Sequence, residues 1–337
     1  MSARTAAAVA VAMLATACAG TGRRSPRSTA GAGSPSPATS PASGTPSARP
    51  SFDDPVAVAF DGSGHLWIAN YRSGALLGYE IGQLRHATGR AHLAPAITAS
   101  IPGGPNQIAV DGQGRLWLAD WDTNTVSAYQ ATSLGSGSAT PAVVLSGPDL
   151  ASPTDLAFDS AGNLWVANQA SGRVLEFRAT DLDRSGSPRP AASLLPGGAG
   201  RGTPEAIAFD PAGRLWVSDY YRGMVMALAR SELRGRGRVR PELNIDVGTR
   251  TFPIGLTFDR SGRLWMAGAH AIVVFRVHPR RATDVAMRLS GPDVVMPHDV
   301  SFDATGAAWV PCYNDTVLRY SAAGLHGTRV RPDLVLT

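Results

Sequence analysis

The chain has no lysine: all 31 basic residues among its 337 are arginines, a compositional bias that carries no functional signal. Cysteine is almost absent, with only Cys18 and Cys312, so no disulfide framework can staple the fold and packing must hold it. Charged residues make up only 17%, which excludes long helices laced with ion pairs. The leading apolar run, Ala6 to Ala15, is too short to anchor the chain across a bilayer. A glycine-rich phosphate loop, His-Glu-x-x-His, a Cys-x-x-Cys pair and Gly-x-Ser-x-Gly are all missing. Their absence removes the usual signatures of phosphate cradling, zinc proteolysis, dithiol chemistry and the hydrolase nucleophile elbow. What is present instead is turn material, 37 glycines and 25 prolines, which points to many short strands.

Charge is divided unevenly along the chain. Five of the 31 basic residues, Arg4, Arg23, Arg24, Arg27 and Arg49, precede Ser51, and none of the 26 acids does. The remaining 26 arginines therefore face 26 acids, and the body of the protein is neutral. A nucleic-acid partner calls for positive charge concentrated on a folded surface, so none is expected. One local run, Arg230, Arg234, Arg236, Arg238 and Arg240, reads as a solvated loop between strands.

The first 17 residues have the charge and apolar run of a secretory signal. Leu14-Ala15-Thr16-Ala17-Cys18 resembles a bacterial lipobox, which implies lipidation at Cys18 and display on the outer face of the cell membrane; plain secretion is the alternative. Residues 18–50 are rich in Ser, Pro, Thr, Gly and Ala. Such a stretch buries too little to offset its conformational entropy, so it is expected to be a disordered tether holding residues 51–337 off the membrane.

Within residues 51–337 one motif recurs six times without gaps. The copies are PVAVAFDGSGHLWIAN from Pro55, PNQIAVDGQGRLWLAD from Pro105, PTDLAFDSAGNLWVAN from Pro153, PEAIAFDPAGRLWVSD from Pro204, PIGLTFDRSGRLWMAG from Pro253 and PHDVSFDATGAAWVPC from Pro297. Their spacings of 50, 48, 51, 49 and 44 residues suit propeller blades, not helical repeats. Each copy gives an apolar inner strand, an Asp-x-x-Gly turn and a second strand carrying Trp; a third and an outer strand complete the unit. The fold expected is all-β, a six-bladed β-propeller of four-stranded antiparallel blades. The chain begins at an inner strand and ends at what reads as an outer one, so the ring is expected to close by face packing and not by a shared strand. The six repeating tryptophans are read as packing between blades, and the six turn aspartates as turn-makers, not a catalytic array.

The pattern Phe-Asp-x-x-Gly-x-Leu-Trp-Val-Ala-Asn/Asp resembles the NHL-repeat propellers and the wider superfamily of the senescence marker protein/gluconolactonase family and the streptogramin B lyases. In the gluconolactonase family, metal-binding Asn and Asp follow the Pro of comparable repeats. The resemblance implies Asn106 and Glu205 as metal ligands here, with His298 in the same ring; Pro297-His298 resembles a pair in the streptogramin lyases. The ion implied is Ca²⁺, Mg²⁺ or Mn²⁺, with Asp155 or Asp299 as a general base. The sequence departs from the lactonases in having Asp53-Asp54-Pro55-Val56 where they carry a Glu, and in apolar Val56 and Ile254 within the ring.

The two faces of such a disc differ in sequence. The Asp-x-x-Gly face is nearly invariant between copies, whereas the opposite face, at the channel mouth, varies, and specificity is written in variation. The mouth carries Val56, Asn106, Thr154, Glu205, Ile254 and His298, then Gln107, Asp155 and Asp299 one place on. Where the second strands leave, Tyr71, Trp121, Tyr220 and Tyr313 form an aromatic rim. His270 reads as a surface histidine and Cys312 as a half-buried structural thiol. Two functions fit. One is a monomeric, membrane-tethered module binding an envelope protein, peptide, glycan or small molecule at the mouth. The other is a metal-dependent hydrolase or lyase of a lactone, ester or cyclic depsipeptide.

Overall fold

A computed structural model describes residues 52–197, 202–278, 283–326 and 330–337. The expected leader, Cys18 and the tether lie outside these residues. Six sheets of four or five strands follow one another along the chain. Blade three is typical: Pro153–Phe158, Leu164–Asn168, Arg173–Phe177 and Ala192–Pro196 pair antiparallel in that order from the axis outward. The inner strands of the other blades are Pro55–Phe60, Pro105–Val110, Pro204–Phe209, Gly255–Phe258 and the short Ser301–Phe302.

The Asp-x-x-Gly turn explains the sixfold regularity. In blade four Asp210 Oδ1 accepts the backbone N–H groups of Ala212 and Arg214, both at 2.9 Å. Its Oδ2 accepts the indole N–H of Trp216 at 2.9 Å. The same Asp–Trp bond recurs in every blade, at 2.8 to 3.1 Å. Gly213, at φ +79, closes the turn in a conformation that side chains resist. Burial alone would raise these carboxyls, yet the bonds they accept hold Asp61, Asp111, Asp259 and Asp303 below the usual range. Their role as turn-makers therefore holds.

The core is divided into six clusters, each shared by two neighbouring blades. Each of the six tryptophans is at most 1% exposed. In five blades the indole meets the Phe of the next blade's Phe-Asp edge-on, with ring centres 5.2 to 6.1 Å apart. Trp67 meets Val110 instead, the one copy in which that Phe is replaced. Each ring hides on the order of 200 Å², roughly 5 kcal/mol of transfer free energy as an upper bound. Cys312 is fully buried, deeper than expected, and burial pushes its thiol up to about 12; His270 is exposed.

Two expectations are refined. Blades one, three and six carry a fifth strand, lent in parallel by the next blade's third-to-fourth connection: Gly137–Ser138, Arg236–Val239 and Gly89–Ala91. Part of the arginine run is thus an edge strand and not a loop, with Arg236 bonded to the carbonyl of Pro190. Charged side chains on such an edge also discourage further strand addition. The ring closes by the face packing expected, Phe60 against Trp309, but the expectation of no shared strand is corrected: Gly89–Ala91 of blade one pairs with Leu334–Leu336 of blade six.

Candidate functional site

The chain enters the channel mouth through strained backbone. Asp54, Ser152, Phe252 and Met296, each directly before a leading proline, have φ of 43 to 59. Left-handed backbone at such residues costs on the order of 1–3 kcal/mol and is held by its surroundings. The holding groups are visible in two blades: Asn124 accepts the N–H of Ser152 at 2.6 Å, and Asp315 that of Asp54 at 2.9 Å. Immediately afterwards the inner strand slips register against the second strand in blades one to four. Val56, Asn106, Thr154 and Glu205 occupy that slip, and a bulge of this kind re-aims a side chain.

The residues singled out in the sequence fall into distinct groups. Asn106 donates to the carbonyl of Thr154 at 3.0 Å, and Thr154 in turn to that of Pro204 at 3.3 Å. These two therefore stitch blades two, three and four together around the mouth. Glu205 is half-buried and accepts from Gln169 at 2.5 Å. Burial lifts its carboxyl to about 7 against the pull of that bond, and its charge also acts on the Tyr220 hydroxyl. His298 stacks on Tyr313 with ring centres 6.4 Å apart, and burial lowers its imidazole to about 4. Asn106, Glu205 and His298 share one end of the channel but stand on blades two, four and six. Among the described residues no three His, Cys, Asp or Glu side chains form a group able to hold a metal ion.

Asp155 and Asp299 are brought together one layer deeper. Asp155 accepts the N–H of Ile207 at 2.6 Å, binding blade three to four, and Asp299 that of Val58 at 3.3 Å, binding blade six to one. Gln107 bonds both carboxyls. Burial raises Asp155 well above its ordinary value and Asp299 to about 6. Gln107, Asp155 and Asp299 line a channel cavity of about 280 Å³ together with Leu156, Phe158, Ile207, Phe209, Leu256 and Phe258. Both acids are thus held by backbone amides and serve the ring as inter-blade ties.

Tyr71, Trp121, Tyr220 and Tyr313 are all half-buried at the exits of the second strands of blades one, two, four and six. Tyr220 is extended by Tyr221, 4.9 Å away and 55% exposed, and by Phe252 at 5.0 Å. The second-strand exit residues anchor loops. Asn168 accepts from Ala151 and donates to the carbonyl of Asp149, and Asp219 accepts from Thr203.

Sequence reasoning missed the cluster at the seam of blades six and one. Asp54 Oδ1 and His298 Nε2 lie 4.0 Å apart, both buried and both without a hydrogen-bond partner. Arg72 approaches the other carboxylate oxygen at 3.5 Å and donates to the Tyr313 hydroxyl at 2.7 Å. Burial raises Asp54 to about 6 despite Arg72. Asp54 directly precedes the first proline of the repeat, so alignment from that proline passed over it.

No protein-family model matches the chain, and no curated protein sequence does. Solved structures do. A virginiamycin B lyase from Staphylococcus aureus has 12% identity and a TM-score of 0.55, covering 80% of this chain and 82% of that one. A candidate 6-phosphogluconolactonase from Bacteroides uniformis has 15% identity and a TM-score of 0.55, covering 81% and 82%. The WD40 β-propeller domain of Doa1 has 13% identity and a TM-score of 0.55, covering 78% and 77%. At such identities the likeness establishes the propeller fold.

Proposed function

We propose that this protein is a membrane-tethered extracytoplasmic propeller that binds a peptide, glycan or envelope protein on its channel-mouth face. One observation carries the reading. Six of the seven tryptophans are spent between blades, whereas the seventh, Trp121, stands half-buried on the mouth face with Tyr71, Tyr220 and Tyr313. Rings of this kind give a ligand contact area at low entropic cost and keep polar handles for specificity. Asn106, Thr154, Asp155 and Asp299 are meanwhile occupied in joining blades. The test is titration of the full chain with soluble peptidoglycan fragments and short peptides, read by tryptophan emission. Saturable change that Trp121→Phe abolishes and Tyr220→Ala weakens is the expected result; no response across the panel overturns it.

A second reading is favoured by Glu205, a carboxyl lifted by burial to about 7, where a general acid or base works best. In that reading the protein is a metal-dependent hydrolase or lyase of a lactone, ester or cyclic depsipeptide. Asn106 would have to exchange its present partner for the ion, and Glu205, kept off the ion, would act as the acid or base. Turnover of such a compound that Glu205→Gln abolishes would displace the binding reading.

A further inference from the structure

Buried polar atoms without partners are rare and call for an occupant. Asp54 Oδ1 and His298 Nε2 are two such atoms, 4.0 Å apart, on the lead-in segments of blades one and six. The Asp54 side chain is only 9% exposed. We infer that the gap between Asp54 and His298 receives a primary ammonium group of the ligand, the amino terminus of a peptide or the amine of an amino sugar. The inference rests on the binding reading above and specifies its ligand.

The span selects the chemistry. A donor atom making hydrogen bonds of about 2.9 Å to both atoms subtends roughly 90° across this gap, an angle that two N–H bonds of one nitrogen can serve. A transition metal or Mg²⁺ at about 2.0–2.2 Å from each would have to hold the two atoms at roughly 130° or wider, far from neighbouring positions in a tetrahedron or octahedron. Calcium, which takes oxygen ligands, gains little from an imidazole.

Charge separates an ammonium from a water. Arg72 exerts the largest single charge effect on Asp54, yet the formal charges gathered here, Asp53, Asp54 and Asp315 against Arg72, still sum to a negative excess. Arg72 is shared: its Nε pairs with Asp54 Oδ2 at 3.5 Å, leaving Oδ1 unengaged, and one of its amino groups is given to Tyr313. With the proton of the neutral imidazole on Nδ1, Nε2 and Oδ1 are both acceptors; water would satisfy them and leave the local negative excess, whereas an ammonium satisfies both, because a buried carboxylate gains most from a charged donor.

The experiment compares amines with their acetylated forms on the full chain. Trialanine amide is paired with N-acetyl-trialanine amide, and glucosamine oligomers with N-acetylglucosamine oligomers, so that the two arms tell peptide from sugar. Binding is read by calorimetry and Trp121 emission. Free amines of one arm should bind about tenfold tighter than their acetylated partners, and Asp54→Asn should erase that preference. Equal binding of both forms leaves the face a binding site and overturns the ammonium site. No binding by any probe overturns both. Should Asp54→Asn fold poorly, a crystal of the unsubstituted protein soaked in the amine decides. A ligand nitrogen within hydrogen-bond distance of both atoms supports the inference, and a water alone there at saturating amine overturns it.

Discussion

The guanidinium of Arg319, in the last blade, donates to the carbonyl oxygen of Leu84, in the first, at 2.7 Å. It also donates to the carbonyl of Ala87 at 2.8 Å and pairs with Asp333 on its own blade. Because blade six has its own four strands, this side chain and the three-residue pairing of Gly89–Ala91 with Leu334–Leu336 form the outer part of the polar latch of the ring, beside the Asp299–Val58 and Asp315–Asp54 bonds at the mouth. Arg319→Ala removes the guanidinium donors to the Leu84 and Ala87 carbonyls and the partner of Asp333 Oδ2, and should cost about 2 kcal/mol, measured by urea denaturation. Hydrogen exchange should report where: the amides of Gly89 and Thr337, bonded across the seam to Asp333 and Ala91, should lose protection before those of blade three. Uniform loss throughout the ring would contradict the latch.

Asp210 holds four donors at once, and its removal strands the Trp216 indole N–H in the core. Asp210→Ala should destabilise by about 3 kcal/mol, and Asp210→Asn by less, because an amide oxygen still accepts from the turn. Thermal unfolding of the two variants checks both the size and the order. An effect below about 0.5 kcal/mol for the alanine variant would deny the turn its structural role.

These two cases show what the sequence could and could not reveal. The Asp–Trp pair and the Gly of each turn repeat because one local geometry is built six times, so the fold is legible from identity at fixed spacing. The latch is not: Gly89–Ala91 has no apolar pattern, and its pairing is a matter of backbone reach across the ring. The mouth is legible as a place but not as a set of contacts. Asn106 reads as a ligand in the sequence and Thr154 as a mouth residue, and only the register slip shows them turned sideways onto the next blade. Asp54 gains meaning solely from His298, at the other end of the ring.

Trp121 gives the binding face a built-in reporter. The other six indoles are at most 1% exposed, so a neutral quencher such as acrylamide should reach one tryptophan among seven. Quenching should follow a small accessible fraction over a resistant majority, and Trp121→Phe should remove that fraction without lowering the midpoint of urea unfolding. Substantial quenching that persists in the variant would place another indole at the surface and end the use of Trp121 as a probe of the mouth.

Glu205 makes the stability of the mouth depend on pH in a definite direction. Its carboxyl titrates near 7 when folded and at 4.5 in the reference state, so the folded form holds the proton more tightly. The resulting stabilisation is complete below 4.5 and is lost as the pH rises through 7. Glu205→Gln cannot ionise, and relative to the unsubstituted protein it should gain stability across that interval, on the order of 2 kcal/mol by about pH 8 given the partial exposure of the site. Asp54 and Asp299, both raised to about 6, carry the same sign. His298, lowered from 6.5 to about 4, carries the opposite one, full above 6.5 and lost as the pH falls toward 4. All three remain in both proteins, so the difference between the two stability curves isolates Glu205. A difference that stays flat from about pH 5 to 8 would mean that Glu205 is solvated as an ordinary carboxylate; it would then lose its standing as the acid or base of the second reading.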